Sequence, residues 1–194
     1  MVVVKEDIRD QIVDTAREIF TRFGFRKTTM DEIARAMRKG KSSIYYYFES
    51  KEEIFRAVVE KESQTLREEL IAAINSTIEP REKLRNYVLT RMKVMKNVAN
   101  FYDALKNEYL SHLDFVNNVR EKYDRQEIKM VKDILTEGVQ RKIFRIEDPE
   151  LAATAIVTAL KGLEIPLFWS RSSKNFEKRT DGLLGVLFNG ILMK

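Results

Sequence analysis

Apolar residues recur at intervals of three and four along almost the whole chain, and little interrupts them. Ile8, Ile12, Ala16, Ile19, Phe20 and Phe23 open the pattern, a spacing that places all six on one stripe of a helix. Only 7 glycines and 3 prolines stand among 194 residues, so the turns that punctuate strands are scarce. Charged residues (34%) interleave with hydrophobic ones (44%) as they do in amphipathic helices. These features predict an all-α fold of about nine helices, and the length suits one domain or a small domain fused to a larger one.

Boundary signals divide the pattern. Gly24 stands where a left-handed C-terminal cap would close the first helix. In "TTMDEIARAM", Thr29 as N-cap and Glu32 three residues later form a capping box, and Met30, Ile33, Ala34 and Met37 give the second helix its apolar face. Ser50 and Glu53 form a second box, so another helix starts at Ser50 and runs to about Thr77, roughly 40 Å at about 1.5 Å per residue. Pro80 opens a fifth helix at its first position. "NFYDALKNEYLSHL" is a sixth, and "FVNNVREKYDRQEIKMVKDILTEGVQRKIF" a long seventh. Asp148 caps an eighth, which Pro166 should kink or end, and a last spans about Phe176 to Leu192.

Several chemistries lack the residues they need. There is no cysteine and a single His112, which argues against disulfides, thiolate metal sites and a zinc or haem centre, and suits a reducing, cytoplasmic setting. No apolar run reaches the roughly 18 residues of a membrane span. With no glycine-rich phosphate loop, nucleophile elbow or paired metal motif, an enzyme reading has nothing to attach to. No metal and no cofactor are expected.

The charge is informative because it is local. From Arg22 to Lys41 there are 7 basic residues against 2 acidic, an excess equal to the whole net charge of +5. This stretch leads into "KGKSSIYYYFESKEE", Lys39 to Glu53, three tyrosines confined between a basic turn and a capped helix. Read as a short helix, Ile44 and Phe48 share the buried face while Ser42, Ser43, Tyr45 and Tyr46 lie elsewhere. Two helices joined by a short turn, the second polar-faced and preceded by positive charge, suit a helix-turn-helix entering a DNA major groove. A tyrosine ring offers apolar surface to a thymine methyl and a hydroxyl to a phosphate or base edge. Lys41, Ser42 and Ser43 stand at the end that reaches bases in this motif, and Thr28, Thr29 and Lys51 stand at helix starts suited to phosphate. The blander readings are an aromatic core helix of another bundle and a helical scaffold without DNA binding.

From about Ile8 to Phe55, "TTMDEIARAM…GKSSIYYYFESKEEIF" resembles the DNA-binding region of the TetR family of bacterial transcription regulators. The resemblance implies that Thr29, Tyr46 and Lys51 touch phosphates, that Lys41, Ser42, Ser43 and Tyr45 face bases, and that Ile44 and Phe48 hold the recognition helix on its support. It implies residues 6–66 as the DNA-binding domain, with the helix-turn-helix at about 29–48, and 67–194 as a ligand-binding and dimerisation domain. The expected protein is a homodimeric repressor, or a TetR-like activator, that binds a palindromic operator and responds to a small, largely apolar effector. Family members often carry Gly-Val-Ser where this chain has Arg38-Lys39-Gly40, and a β-carbon makes a left-handed conformation at Arg38 costly.

Beyond residue 66 the sequence supplies surfaces rather than motifs. Met92, Met95, Phe101, Tyr102, Leu105, Tyr109, Phe115, Tyr123 and Trp169 are candidates to line an apolar effector pocket, ordinary packing being the alternative. Ala152, Ala153, Ala155, Ala159 and Gly162 make a small-residue face that permits close helix approach, and Leu183, Leu184, Leu187, Phe188 and Ile191 a wide apolar one. Ala155, Ala159, Gly162, Leu183 and Leu187 are the expected dimer contacts.

Overall fold

In the computed structural model, which describes residues 2–94, 98, 100, 114–169, 182 and 184–186, the described residues form seven helices and no strand. They are α1 (Val2–Phe23), α2 (Met30–Ala36), α3 (Lys41–Tyr45), α4 (Lys51–Asn75), α5 (Pro80–Val94), α6 (Asp114–Gln140) and α7 (Pro149–Trp169). The all-α fold read from the periodicity is the fold observed. The expected helix over "NFYDALKNEYLSHL" and the last one lie almost wholly outside the described residues, though residues 100, 182 and 184–186 are helical.

The chain separates into two compact units. The first comprises Met1–Thr65 with Val98–Val119, and the second Leu66–Asn97 with Arg120–Lys194. The expected 67–194 domain therefore gives up Val98–Val119, which packs with the residues before Thr65.

At the centre of the first unit is an aromatic cluster. The Phe55 ring meets Phe25 at 4.7 Å, Phe20 edge-on at 5.4 Å and Phe115 at 6.1 Å between centroids. Such tilted and T-shaped contacts place positive ring edges against negative faces. Ile12, Ile33, Ile44, Phe48 and Ile54 are buried around it. Asn100, also buried, lies within donating distance of three acceptors: the Arg17 carbonyl (3.1 Å), Thr21 Oγ1 (2.9 Å) and Glu62 Oε1 (2.9 Å). A single residue from beyond α5 thereby ties α1 to α4.

In the second unit, Leu84, Tyr87, Val88 and Met92 of α5 are buried, as are Val131, Ile134 and Leu135 of α6 and Ala153, Val157 and Leu160 of α7. Arg141, just past α6, reaches back to the α4–α5 connection, donating to the Ile78 carbonyl (2.6 Å) and to Glu79 (2.7 Å). Lys83 pairs with Glu137 at 2.6 Å.

The end of α6 is fixed by an unusual stop. Lys142 takes φ +58, its N–H donates to the Val139 carbonyl (3.0 Å), and the Ile143 N–H donates to Gly138 (2.8 Å). These are the paired bonds of a Schellman motif, with lysine where glycine is customary. The turn folds Phe144 over Gly138 so closely that an added β-carbon would sit 2.1 Å from the ring. At this position glycine is required by space.

Two expectations need correction. Of the two outcomes expected at Pro166, a kink or an end, the end does not occur: α7 continues to Trp169, because proline forfeits one N–H bond and strains one turn without removing the remaining bonds of the ladder. At the start of α4, Ser50 Oγ accepts from the Glu53 N–H (3.2 Å) as a capping box requires. The Glu53 carboxylate, however, accepts from Glu49 N–H (2.7 Å), one residue before the cap.

Candidate nucleic-acid interface

Helix α2 begins as its sequence dictates. Thr29 is extended (φ −119°, ψ 159°), its hydroxyl oxygen accepts from the Glu32 N–H at 3.3 Å, and the Glu32 carboxylate accepts from the Thr29 N–H at 2.7 Å. Both partners are exposed, and together they satisfy two of the four N–H groups that a helix start leaves over.

The end of α2 sets the angle of the next helix. Arg38 adopts φ +54, its N–H donates to the Arg35 carbonyl (3.0 Å), and the Lys39 N–H donates to Ala34 (3.0 Å). This is a second Schellman stop, again with a cationic residue at the left-handed position. Gly40, two places later, is ordinary extended backbone (φ −70°, ψ 150°) at the N-cap of α3. The glycine did not take the strained position; Arg38 did, at a cost of about 1–2 kcal/mol.

Helix α3 is clamped by two side chains. Ile44 and Phe48 are 0% and 1% exposed, and the Arg9 guanidinium covers the Phe48 ring at 4.9 Å. With these turned inward, the tyrosines face out: Tyr45 is 44% and Tyr46 67% exposed, and Tyr47 packs edge-on against Tyr46 at 5.0 Å. Lys39, Ser42, Ser43, Tyr46 and Tyr47 line with Ile8 an open hollow of about 320 Å³. Lys41 Nζ lies 3.0 Å from Asp31 Oδ1 of α2 and 5.7 Å from the centre of the Tyr45 ring. The Asp31 carboxylate, by hydrogen bond and charge, raises the Lys41 pKa above its ordinary value. Lys41 is thereby paired with a carboxylate of the preceding helix.

Of the expected DNA-facing residues, Thr29, Lys41, Ser42, Ser43, Tyr45 and Tyr46 are exposed or half-exposed in the first unit. Thr28 is not among them. It is 1% exposed, and its hydroxyl turns inward to donate to the carbonyl of Gly24, the residue after α1, at 3.0 Å. Lys51 is half-buried; its ammonium donates to the Phe25 carbonyl (2.9 Å) and sits 4.3 Å over the Phe25 ring, holding the loop after α1.

The expected pocket residues are distributed differently. Phe115 belongs to the first unit, against Phe55 and under the Arg56 guanidinium at 5.1 Å, so it is core there and not the lining of a pocket in the second. Met92 and Tyr123 are buried in the second unit, and Trp169 is the last residue of α7. Met95, Phe101, Tyr102, Leu105 and Tyr109 lie outside the described residues, as do Leu183 and Leu187 of the expected dimer contacts. Ala155, Ala159 and Gly162 are exposed on α7.

One cluster in the second unit went unanticipated. Arg91, wholly buried, pairs through Nε and its second terminal nitrogen with the buried carboxylate of Glu127, to which the Tyr87 hydroxyl also donates at 2.5 Å. Burial and the neighbouring Glu127 charge push the Tyr87 hydroxyl well above its ordinary pKa. Burial alone would lower the Arg91 pKa, but Glu127 and the two tyrosines outweigh it and hold the guanidinium charged. The signal was available: Arg91 occupies a place on the stripe Leu84, Tyr87, Val88, Met92, and Glu127 a place on the stripe of Tyr123, Val131 and Ile134. Charges at stripe positions on two helices call for each other.

Among the described residues no helix is long and apolar enough to cross a membrane, and no group of three His, Cys, Asp or Glu could hold a metal ion.

Comparison with known proteins places these features in a family. Residues 12–58 match the family described as bacterial regulatory proteins, tetR family, and residues 80–183 match the tetracyclin repressor-like C-terminal domain. An HTH-type transcriptional repressor of Mycobacterium tuberculosis is 21% identical over 166 residues, covering 76% of this chain and 88% of its own. The crystal structure of a transcriptional regulator from Cytophaga hutchinsonii is 26% identical, with a TM-score of 0.79 over 95% of this chain and 98% of its own. AibR, solved with isovaleryl coenzyme A and operator DNA, shares the fold at 20% identity, with a TM-score of 0.71 over 93% of this chain and 97% of its own.

Proposed function

The chain belongs to the TetR family and is a DNA-binding transcriptional regulator, and from that premise we propose a homodimeric repressor that holds a palindromic operator until a small, largely apolar effector binds. Residues 6–66 carry the DNA-binding function. Thr29, Tyr46 and Lys51 serve as phosphate contacts, and Lys41, Ser42, Ser43 and Tyr45 face bases. The observation that carries this reading is the division of α3: Ile44 and Phe48 inward, Tyr45 and Tyr46 outward, with a cationic turn in front. Phosphate contacts set register and base contacts set sequence choice.

Residues 67–194 carry dimerisation and effector binding, with Val98–Val119 packed in the first unit. Leu151, Ala155, Ala159 and Gly162 are exposed along one stripe of α7, a surface that a second copy can approach closely. Leu183 and Leu187 complete the contact. A two-fold dimer sets its recognition helices about 34 Å apart, which is why the operator is a palindrome. Met92 and Tyr123, with Met95, Phe101, Tyr102, Leu105, Tyr109 and Trp169, are the proposed effector lining. AibR, which takes an acyl thioester together with its operator, supports the pairing of a small organic effector with DNA.

Helix α4 is continuous from Lys51 to Asn75 and contributes residues to both units. An effector acts only if it binds the DNA-incompetent arrangement more tightly; equal affinity for both shifts nothing. The protein works in the cytoplasm, where its DNA is.

A gel-shift against duplexes from the gene's own upstream region tests the proposal. The expected result is a retained complex at low salt that fades as salt rises. Folded dimer that retains no duplex at low salt would leave the helical-scaffold reading standing instead.

A further inference from the structure

Asp31 is an odd residue to find on a surface that approaches a polyanion. It and Lys41 are 46% and 56% exposed, and an ion pair that open adds little to stability, so stapling α2 to α3 is a weak reason for it. Its position at the start of α2 suits the helix dipole, but any acid in the first turn would serve that purpose. The geometry is more specific. Asp31 Oδ1 is itself shielded from solvent, and the Lys41 ammonium faces it at 3.0 Å. The centre of the Tyr45 ring lies 5.7 Å from that ammonium.

Two consequences follow for a lysine that is otherwise a flexible point charge. Were the Lys41 ammonium to swing to a phosphate, Asp31 Oδ1 would lose its counter-ion, and a second anion would be drawn toward the carboxylate. Held at the carboxylate, the ammonium still has N–H groups to offer, and the uncharged acceptors N7 and O6 of guanine take them without that penalty. We propose that Asp31 is a positioning residue that keeps Lys41 off the phosphates and commits it to reading a guanine edge, one in each half-site. This rests on α3 being the DNA-reading helix. Asp31 thereby sets specificity while lowering overall affinity.

The test uses four full-length dimers: wild type, Asp31→Asn, Lys41→Gln and the double variant. The probes are a duplex enriched by the wild type from a randomised pool and a random duplex of equal length, each titrated with salt. Asp31→Asn is expected to bind the random duplex severalfold more tightly and to steepen the dependence of log K on log salt by about 0.9 for each subunit, as one new phosphate contact requires. Its preference for the enriched duplex narrows, and pools selected with it lose a guanine at one position per half-site. Lys41→Gln loses the same guanine, and in the double variant the added slope is gone, because the new contact needs the ammonium.

An Asp31→Asn protein with unchanged slope and unchanged preference overturns the positioning role while leaving DNA binding intact. A slope that steepens equally in the Lys41→Gln background does the same, since the carboxylate would then act as a general repulsive charge. Should Asp31→Asn not fold by circular dichroism, Lys41→Gln decides alone. Loss of the guanine preference supports the proposal, and an equal loss on both duplexes puts Lys41 on a phosphate and overturns it. Wild-type dimer that retains neither duplex would bring down the DNA-binding reading itself, a result distinct from all of these.

Discussion

Glu127→Gln should be among the most damaging nearly isosteric changes in this chain. The substitution preserves shape and leaves an oxygen for the Tyr87 hydroxyl, but removes the buried carboxylate charge with which the Arg91 guanidinium pairs. Both side chains are at most 1% exposed, so water cannot take over the lost role. Breaking a buried pair from one side costs about 3–5 kcal/mol, most of it the penalty of a stranded ion. At roughly 2–4 °C per kcal/mol for a chain of this size, the melting temperature should fall by about 6–20 °C. Calorimetry is the assay of choice, because a chain of two units can melt in two steps, and the loss should fall on the step that melts α5 and α6. The double replacement Arg91→Met with Glu127→Leu, made in a Tyr87→Phe background, removes both charges and the hydroxyl that pairs with them, and should recover to within about 1–2 kcal/mol of the wild type or exceed it. A Glu127→Gln protein within about 1 kcal/mol of wild type would show that the pair is not dry. A double variant as unstable as the single would show that the cost lies in packing and not in charge.

Gly138→Ala drives a β-carbon into the Phe144 ring and should cost about 1–3 kcal/mol by urea denaturation, with Gly138→Ala/Phe144→Leu recovering part of the loss. Arg38→Gly should be more stable than Arg38→Ala by roughly 0.5–1 kcal/mol, because relief of the left-handed β-carbon outweighs the added freedom of the unfolded chain; equal stabilities would refute the strain. Tyr45→Ala should cost on the order of 1–3 kcal/mol of operator binding and relax sequence choice, read from competition between enriched and random duplexes. Hydrogen bonds from Lys83 and Arg141, opposed by burial, hold the Glu137 carboxyl below its usual pKa. Its stabilisation is therefore full above the ordinary carboxylate value of about 4.3 and lost as pH falls through the lower folded value. Glu137→Gln should give a flatter acid limb between those points in urea melts taken from pH 6 to 3.

What the sequence revealed was whatever local hydrogen bonding decides. Thr29 with Glu32, Gly24 at φ +80 and Pro80 at the start of α5 are settled within four residues, and spacing alone locates them. The same rules failed where the stop of one helix chose the strained residue. In both Schellman turns the left-handed position follows the last helical residue, wherever packing places it, and it fell on Arg38 and Lys142 although Gly40 stood nearby. Thr28 and Thr29 are indistinguishable by type; the Gly24 carbonyl turned one inward. Phe115 looked like a pocket residue because its partners, Phe55 and Arg56, lie some sixty positions earlier, and no short-range pattern records such a separation. Arg91 and Glu127 were legible in principle, each a charge on an apolar stripe, but only reading α5 and α6 together makes a pair of them. On the interface, periodicity correctly assigned Ile44 and Phe48 inward and the first two tyrosines outward, whereas the hold of Asp31 on Lys41 crosses a turn and had to be seen.

The first unit is assembled from two stretches of chain, and Asn100 and Phe115 come from the later one. During synthesis, then, α1 through α4 leave the ribosome with their aromatic centre and the Glu62 carboxylate still uncovered. The 44 residues from the end of α4 at Asn75 to Val119 (119 − 75) take roughly 2–9 seconds to add at about 5–20 residues per second. Throughout that interval the nascent α1–α4 segment is a client for chaperones, and it is not yet a finished reader of DNA.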